Sequence, residues 1–330
     1  QAPVIARSSI VGDRPAVSSS AGQYPAIANL TSPEALYAAM NQCFRAYSQA
    51  SAIQYRRDRD LPEGSLAVIV QQQVQGLCSG VAFSRDPFTG SGDTVVIESL
   101  LGPASFVTDG QRSPERWQVI LQPADLPDDV ENPDSWRLPA ALTLDVKGTG
   151  ETPQRLLQEV AFLARHLEQR CRGIPQNIEW SFDGDRLWLL QSRPIIPVEG
   201  DRGQRAQPQL TTTDRPTVSL AEDASRLHAL PICPGTATGK VLVLKALRQP
   251  QALPLDTILV VPFLKASDLP AFAQMPINGL IAETGGQLSN GAIAAREYGM
   301  PTIVMSQRRD RLQSGQRIHL DSTLGVVDLL

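Results

Sequence analysis

Several features that mark other protein classes are missing from this sequence of 330 residues. No apolar run approaches the roughly 20 residues that a membrane-spanning helix needs, and the chain does not open on a basic segment followed by an apolar signal core. The four cysteines form no CxxC pair, which argues against a disulfide framework or a zinc site. The net charge is −4 and there is no basic stripe, which argues against nucleic acid as a partner. We therefore expect a cytoplasmic protein with neither membrane nor nucleic-acid contacts.

Lysine is scarce as well. The 30 basic residues include only four lysines, which are Lys147, Lys240, Lys245 and Lys265. None of the four lies in a recognisable phosphate-binding motif. Arginine side chains and backbone N–H groups are therefore the main candidates for phosphate binding.

The length of the chain and its 42% of hydrophobic residues favour two domains. The segment 199–226 is rich in Gly, Gln, Thr, Pro, Asp and Arg and holds hardly any large apolar residue, which is typical of a flexible linker. It separates a first domain over 1–198 from a second over 227–330. Because the sequence starts at Gln1 and opens almost at once into a buried-strand pattern, we expect a piece of a longer chain.

In the first domain, local signals predict two helices and several strands. A helix near 33–57 has Ser32 as its candidate N-cap and Pro33 at its first position, and a second helix near 153–172 ends at Gly173. Periodicity and apolar runs predict strands at 66–74, 80–83, 94–99, 117–121, 177–182 and 187–191. An Asp-Gly-Asp turn joins the last two strands as a hairpin.

The second domain shows short strands and one clear helix, at 290–298. Its strands are predicted at 239–244, 257–261, 279–282, 302–304, 317–320 and 325–329. Short strands with few helices indicate a compact β/β/α layer rather than a doubly wound sheet. The fold class is therefore predicted as α+β or α/β.

The most specific stretch runs from Thr284 to Pro301. Gly285 and Gly286 allow the backbone to approach a ligand closely, and Ser289 can cap the following helix. Asn290 would then lie at the positive end of the helix dipole, a place that stabilises a phosphoryl group. Local physics leaves the alternative open that this is only a glycine turn and a capped helix.

This stretch resembles the swivelling phosphohistidine domain of the phosphoenolpyruvate-utilising enzymes, which include phosphoenolpyruvate synthase, pyruvate phosphate dikinase and rifampicin phosphotransferase. The family signature, Thr-x-Gly-Gly-x-x-Ser-His, places the phosphorylated histidine at Asn290. The resemblance implies that ATP phosphorylates this carrier position, which then moves to a second site. An acceptor such as pyruvate or phosphoenolpyruvate would bind on a separate domain or chain.

The first domain resembles the ATP-grasp nucleotide-binding domain of the same enzymes. Its Arg-Ser-Ser opening, Ala-Gly-Gln loop and closing Ile-Glu-Trp and Leu-Gln-Ser-Arg-Pro segments occur in the family's order. The resemblance implies ATP and Mg²⁺, with Glu179 and Gln191 as metal ligands, since carboxylate and amide oxygens suit that ion. The nucleotide-binding residues implied are Arg7, Gly22, Gln23, Gln71, Glu179, Gln191 and Arg193.

Departures from the family pattern leave two hypotheses about function. The family's lysine-bearing first subdomain would precede Gln1, so the ATP-grasp domain is expected to be incomplete. An amide nitrogen at Asn290 has no free lone pair to attack phosphorus, and residues Ala26, Ser105 and Asn177 also differ from the family. The chain is either the nucleotide-binding and phosphocarrier portion of a phosphotransferase, impaired at Asn290, or a non-catalytic ATP-binding or regulatory relative.

Overall fold

The computed structural model describes residues 2–11, 19–87, 91–127, 131–132, 135–195, 225–244, 253–306 and 311–330. Of the predicted linker over 199–226, residues 199–224 lie outside the described residues. The described helices include none that is long and apolar enough to cross a bilayer.

Six helices and seventeen strands are described. The helices are α1 (Pro33–Tyr47), α2 (Ala50–Asp58), α3 (Ser105–Thr108), α4 (Gln154–Arg170), α5 (Leu269–Phe272) and α6 (Asn290–Glu297). The first nine strands are β1 (Val4–Val11), β2 (Ala26–Leu30), β3 (Ser65–Gln72), β4 (Cys78–Phe83), β5 (Thr94–Leu101), β6 (Glu115–Ile120), β7 (Asp145–Gly148), β8 (Gln176–Phe182) and β9 (Leu187–Pro194). The others are β10 (Arg226–His228), β11 (Leu230–Cys233), β12 (Thr236–Val243), β13 (Thr257–Phe263), β14 (Ile277–Thr284), β15 (Thr302–Val304), β16 (Arg317–Asp321) and β17 (Val326–Leu329). We refer to β1–β9 with their helices as the first domain and to β10–β17 with theirs as the second.

The first domain contains two antiparallel sheets. The smaller has the strand order β2-β1-β3 and packs against α1. The larger has the order β7-β6-β5-β4-β8-β9, and α4 covers one of its faces. The core between α4 and this sheet includes Leu157, Val160 and Phe162 from the helix and Trp180 from β8. The predicted second helix is therefore confirmed, and it ends before Gly173, whose φ of +78° suits a helix C-terminus.

The helix predicted near 33–57 is wrong as a single element. It breaks at Ser48 and Gln49, and the chain turns back into α2. The turn is held by Arg56, which donates to the Tyr47 carbonyl at 2.9 Å and lies over the Tyr47 ring at 3.9 Å. A cation at the last carbonyls of a helix is favourable, and residue spacing alone does not reveal such a tertiary cap. The buried face of α1 also consists of small residues, Ala39, Cys43 and Ala46.

The second domain is one mixed sheet with the order β10-β17-β16-β12-β13-β14-β15-β11. Its two edge strands are neighbours in sequence, separated only by Ala229. Residues 228 and 230 can be at most about 7 Å apart, so the sheet must curl until its edges meet. Alternate residues of β13 therefore face two cores: Ile258 and Val260 face the inside of the curl, while Leu259 and Val261 contact α5 and α6.

Helices thus cover the outer face of the sheet, and strands fill its inner face. This arrangement agrees with the prediction of a layer with few helices, and the mixed α/β class is confirmed. The central strands β12 to β15 run parallel. The continuous apolar runs 258–261 of β13 and 280–282 of β14 are buried on both faces of the sheet, as is typical of parallel strands.

Candidate functional site

A cleft of about 1440 Å³ lies between the two domains. It receives side chains from both sheets of the first domain and from the start of α6. Eight residues predicted from the sequence line it together, namely Arg7, Gly22, Gln23, Gln71, Glu179, Gln191, Arg193 and Asn290. The other four predicted residues, Thr284, Gly285, Gly286 and Ser289, lie beside the cleft in the contact between the domains.

Asn290 meets the first domain at Gly22. A β-carbon added at Gly22 would lie 2.8 Å from the Asn290 β-carbon and 2.9 Å from that of Ala266, too close for any side chain. Gly22 also has a φ of +65°, which favours glycine. The backbone at Gly22 is therefore directly against the first residue of α6, inside the cleft.

The start of α6 is fixed by a local cap. The Ser289 hydroxyl accepts a hydrogen bond from the Ala292 backbone N–H and itself donates to the Gly286 carbonyl at 3.1 Å. The cap predicted from the sequence is thus confirmed. Asn290 consequently projects from the first turn of the helix, where backbone N–H groups and the helix dipole favour negative charge.

Residues 284–289, here called the Gly-Gly loop, are held by Glu98 of β5. The two oxygens of its buried carboxylate accept from the Gln287 N–H at 2.7 Å and the Leu288 N–H at 2.9 Å. A β-carbon at Gly286 would collide with the same carboxylate. The second glycine of the motif is therefore required by a contact with the other domain.

Two arginines complete the charge balance around Glu98. Burial raises the pKa of Glu98, and the Leu288 N–H and the charge of Arg116 oppose that rise. Burial lowers the pKa of Arg296 to about 10, against the opposing influence of Cys233 and Glu98. Arg296 also donates to the Gln287 carbonyl at 2.8 Å. The loop is thus fixed from both of its sides.

Apolar and polar contacts surround this centre. Leu288 and Ile293 of the second domain pack against Val81, Phe83 and Val96 of the first. Further hydrogen bonds across the contact are Ser19 N–H to Glu297 at 2.9 Å, Tyr55 hydroxyl to Glu297 at 2.7 Å, Gln23 Nε2 to the Ala266 carbonyl at 3.0 Å, Thr284 hydroxyl to the Gly110 carbonyl at 3.1 Å and Tyr298 hydroxyl to Asp58 at 2.8 Å.

The opposite wall of the cleft carries the predicted metal ligands. Glu179 and Gln191 are directly paired on β8 and β9, as the hairpin signal predicts. Burial raises the pKa of Glu179, while Arg193 and Arg7 oppose that rise. Arg7 donates to the Leu190 carbonyl at 3.0 Å and to Gln191 Oε1 at 2.6 Å. The amide oxygen of Gln191 is therefore already engaged by an arginine.

The donors on this wall fit a hard cation only in part. Asn177 lies two residues before Glu179 on the same face of β8, and its buried Oδ1 has no hydrogen-bond partner among the described residues. An unpartnered amide oxygen beside a carboxylate suits Mg²⁺. No cluster of three or more His, Cys, Asp or Glu side chains that could hold a metal occurs in the described part of the chain. Any ion here would need ligands from a bound phosphate.

Three functional candidates escape the sequence reasoning. Glu98 sits in a strand whose neighbours Val95, Val96 and Ile97 are all buried, and a carboxylate in such a run is a signal for a specific partner. Lys265 lines the cleft from the second domain, although its sequence context gives no motif. Glu297 lies within the stretch from Thr284 to Pro301, but the sequence alone does not reveal its partners Ser19 and Tyr55.

Comparisons with known proteins agree with this two-part arrangement. The family model described as pyruvate phosphate dikinase, AMP/ATP-binding domain, matches residues 1–214, and that of the PEP-utilising enzyme, mobile domain, matches residues 253–325. A probable phosphoenolpyruvate synthase of Pyrococcus horikoshii is 25% identical over 98% of this chain and 40% of its own length. That of Methanothermobacter thermautotrophicus is 27% identical over 98% of this chain and 46% of its own length.

The phosphoenolpyruvate synthase of Pyrococcus furiosus is 25% identical over 98% of this chain and 40% of its own length. The chain thus spans less than half the length of these curated relatives. Among solved structures, holo aconitase X of Thermococcus kodakaraensis covers 32% of this chain and 98% of its own, with 19% identity and a TM-score of 0.26. A score this low carries no argument about the fold.

Proposed function

The chain belongs to the family of the pyruvate phosphate dikinase AMP/ATP-binding domain. We propose that it is the nucleotide-binding and phosphocarrier portion of a phosphoenolpyruvate-synthase-like, ATP-dependent phosphotransferase. ATP binds in the cleft between the domains. The second domain presents its carrier position, Asn290, to the nucleotide. Phosphoryl transfer through this position is impaired, because Asn290 replaces the histidine that the family uses.

The observation that carries the proposal is the contact of Asn290 with Gly22 inside the cleft. A carrier must bring its acceptor atom to the nucleotide phosphates, and transfer requires the reacting atoms to lie within about 3–3.5 Å. In the first turn of α6, Asn290 and the apolar Ile293 line the cleft, while Gly291 and Ala292 are buried against the domain's own core. Asn290 is thus the polar side chain that this turn presents to the cleft. Position 290 therefore has the place that a carrier residue needs.

The chemistry at this position explains the impairment. A neutral imidazole offers a nitrogen lone pair that can attack phosphorus and then carry the phosphoryl group. The amide nitrogen of asparagine shares its lone pair with the carbonyl and acts as a hydrogen-bond donor. Asn290 can fill the space and contact a phosphate oxygen, but it forms no bond to phosphorus.

The chain's own residues would bind and orient the nucleotide. Arg7 and Arg193 reach the cleft from β1 and β9 and can hold phosphate oxygens, as arginine forks do. Asn177, Glu179 and Gln191 would hold Mg²⁺ together with phosphate oxygens. Bound there, the ion would neutralise charge that develops on the phosphates.

The finer architecture belongs to the same proposal. The first domain, 1–198, is an ATP-grasp domain, and 227–330 is the swivelling domain on a linker over 199–226. The protein is cytoplasmic. An acceptor such as pyruvate or phosphoenolpyruvate binds on a separate domain or chain.

A second candidate function is a regulatory, non-catalytic ATP-binding relative. It is favoured by the wall of the cleft, where Glu179 is accompanied by Asn177 rather than by a second carboxylate. Fewer charged ligands weaken metal binding. In this alternative, nucleotide binding controls the contact between the domains and no phosphoryl group is transferred.

Labelled ATP tests the proposal. The unaltered chain and its Asn290→His variant are incubated with ATP labelled at the β or γ position, with Mg²⁺, and the protein is assayed for label in an acid-labile linkage. We expect label on Asn290→His and none on the unaltered chain. Acid-labile label on the unaltered chain would contradict the impairment. If Asn290→His binds ATP without becoming labelled, the regulatory alternative is favoured.

A further inference from the structure

We propose that Lys265 of the second domain binds the phosphates of a nucleotide held by the first domain, so that the phosphate site is complete only when the domains are in contact. This inference rests on the proposed function, since it concerns the same cleft. It adds a phosphate-binding residue that the sequence motifs do not include.

Lys265 stands beside the Ala-Gly-Gln loop of the first domain. It follows β13 and precedes Ala266, whose carbonyl accepts from Gln23 Nε2 at 3.0 Å. The β-carbon of Ala266 would be 2.9 Å from one added at Gly22. The residue next to the lysine is therefore in direct contact with the loop, and the Lys265 side chain itself lines the cleft.

The other cations that line the cleft are engaged within the protein. Arg7 donates to Leu190 and Gln191, and Arg193 donates to the Ser19 carbonyl. The Arg59 guanidinium lies 4.7 Å from the centre of the Tyr298 ring, and Arg296 donates to the Gln287 carbonyl.

Lys265 differs from all four arginines. Its side chain is exposed, and it makes no hydrogen bond or ion pair within 4.0 Å among the described residues. An ammonium on a flexible stem is a point charge that can follow a phosphate. Lys265 can thus respond to a ligand without breaking a hydrogen bond or an ion pair.

The charges around Lys265 support a site for an anion rather than a permanent ion pair. Asp109 lines the cleft, and Asp268 follows three residues after the lysine. Burial raises the pKa of both carboxyl groups, and the positive charge of Lys265 opposes that rise. Neither lies within ion-pair distance of its ammonium. A triphosphate carries several negative charges, so it would attract the ammonium more strongly than these two single carboxylates do.

A consequence is that nucleotide binding and domain contact favour each other. A ligand that binds one arrangement better than another shifts the population toward the first. If Lys265 contacts the phosphates only in the observed arrangement, ATP must stabilise the contact between the domains. AMP, which lacks the outer phosphates, should do so less.

The test measures binding of ATP, AMP and inorganic tripolyphosphate to the unaltered chain and to Lys265→Met, Lys265→Arg and Lys240→Met by calorimetry. Lys240 is an exposed lysine of β12 that does not line the cleft, so it is the matched control. We expect Lys265→Met to weaken ATP and tripolyphosphate by about tenfold and AMP by less than about twofold, as for the loss of one charged contact. Lys265→Arg should recover most of the affinity, and Lys240→Met should match the unaltered chain.

Equal ATP affinity of Lys265→Met and the unaltered chain would overturn the role of Lys265 while leaving the proposed function intact. Equal weakening of ATP and AMP would also overturn it, because a general disturbance of the cleft would have that effect. If the unaltered chain binds neither ATP nor tripolyphosphate, both the proposed function and this inference fail.

Discussion

Two carboxylates of the six-stranded sheet, Glu98 and Glu179, lie in one cross-strand row but differ in their hydrogen-bond partners. Both are directly opposite Val81 of β4, one on each side, so their side chains share one face of the sheet, roughly 10 Å apart. Glu98 uses both oxygens to accept backbone N–H groups from the second domain. Glu179 accepts no hydrogen bond from the described residues and faces the cleft.

The difference separates two tasks within one row of the sheet. A buried carboxylate that accepts two hydrogen bonds is part of the contact between domains. A partly buried carboxylate that accepts no hydrogen bond is costly unless a ligand or cation supplies a partner. The row therefore holds the second domain at one end and offers a ligand site at the other.

The largest effect at the contact end of the row is expected for Glu98→Gln. An amide keeps the shape but has only one acceptor oxygen, so one backbone N–H of the Gly-Gly loop would lose its partner at a cost of about 2–3 kcal/mol. The contact should open more often, which the Ser19 amide reports because it donates to Glu297 across the contact. We expect its hydrogen exchange to be roughly 30–100-fold faster.

Glu115→Gln is the control for that experiment. Glu115 also accepts backbone N–H groups, from Glu151 and Thr152, but within the first domain. It should lower the stability of that domain and leave the Ser19 exchange pattern relative to the rest of the domain unchanged. Equal Ser19 exchange in Glu98→Gln and the unaltered chain would show that Glu98 does not hold the domains together.

Gly22→Ala tests the contact at the carrier position. The new β-carbon would lie 2.8 Å from the Asn290 β-carbon, and overpacking of this kind costs about 1–3 kcal/mol. We expect faster exchange of the Gln287 and Leu288 amides. Gly173→Ala is matched in backbone strain, with φ of +78°, but has nothing within 4 Å of the added atom, so exchange at those two amides should not change. Equal exchange in both variants would argue against the Gly22 contact.

Asn177→Asp tests the ligand site at the Glu179 end of the row. A second carboxylate beside Glu179 should strengthen Mg²⁺ binding several-fold, and it should lower the melting temperature without the ion because two like charges would then be close together. Mg²⁺ titrations followed by thermal unfolding measure both effects. Asn41→Asp, at an exposed position of α1, should show neither. No Mg²⁺ dependence in Asn177→Asp would contradict a cation site at this wall.

The smallest effect is expected for Tyr298→Phe. The lost hydrogen bond to Asp58 spans 2.8 Å at a partly exposed edge of the contact, and such bonds contribute about 0.5–1 kcal/mol. Exchange of the Ser19 amide should increase only about two- to fivefold. Tyr37→Phe, at a side chain that is 67% exposed, should leave it unchanged. An effect as large as that of Glu98→Gln would place the main contact at this edge instead.

The sequence predicted those parts of the site that depend on local pattern. The Ser289 cap, the hairpin whose strands carry Glu179 and Gln191, and the helix near 153–172 all follow from residues that are close in sequence. Glu98 and the Gly-Gly loop are separated by 189 positions, and no local pattern connects them. Lys265 lies in no local motif for the same reason, because it is close to the Ala-Gly-Gln loop only in three dimensions.

The break between α1 and α2 is likewise not predictable from the local pattern, although the residues involved are closer in sequence. The sequence signals for one helix give no sign of a break at Ser48, where Arg56 contacts Tyr47. Tertiary contacts also determine which face of α1 is buried. Ala39 and Cys43 allow close approach to the sheet, while Phe44 remains 46% exposed. Side-chain size at a contact is decided by the partner surface, which the helix sequence alone does not contain.

The curled sheet of the second domain has a mechanical consequence. Lys265, the Gly-Gly loop and Glu297 all extend from strands and helices anchored to one sheet whose edges meet at Ala229. A sheet closed in this way moves these groups together as one body. The several contacts with the first domain should therefore form and break together, as one cooperative event.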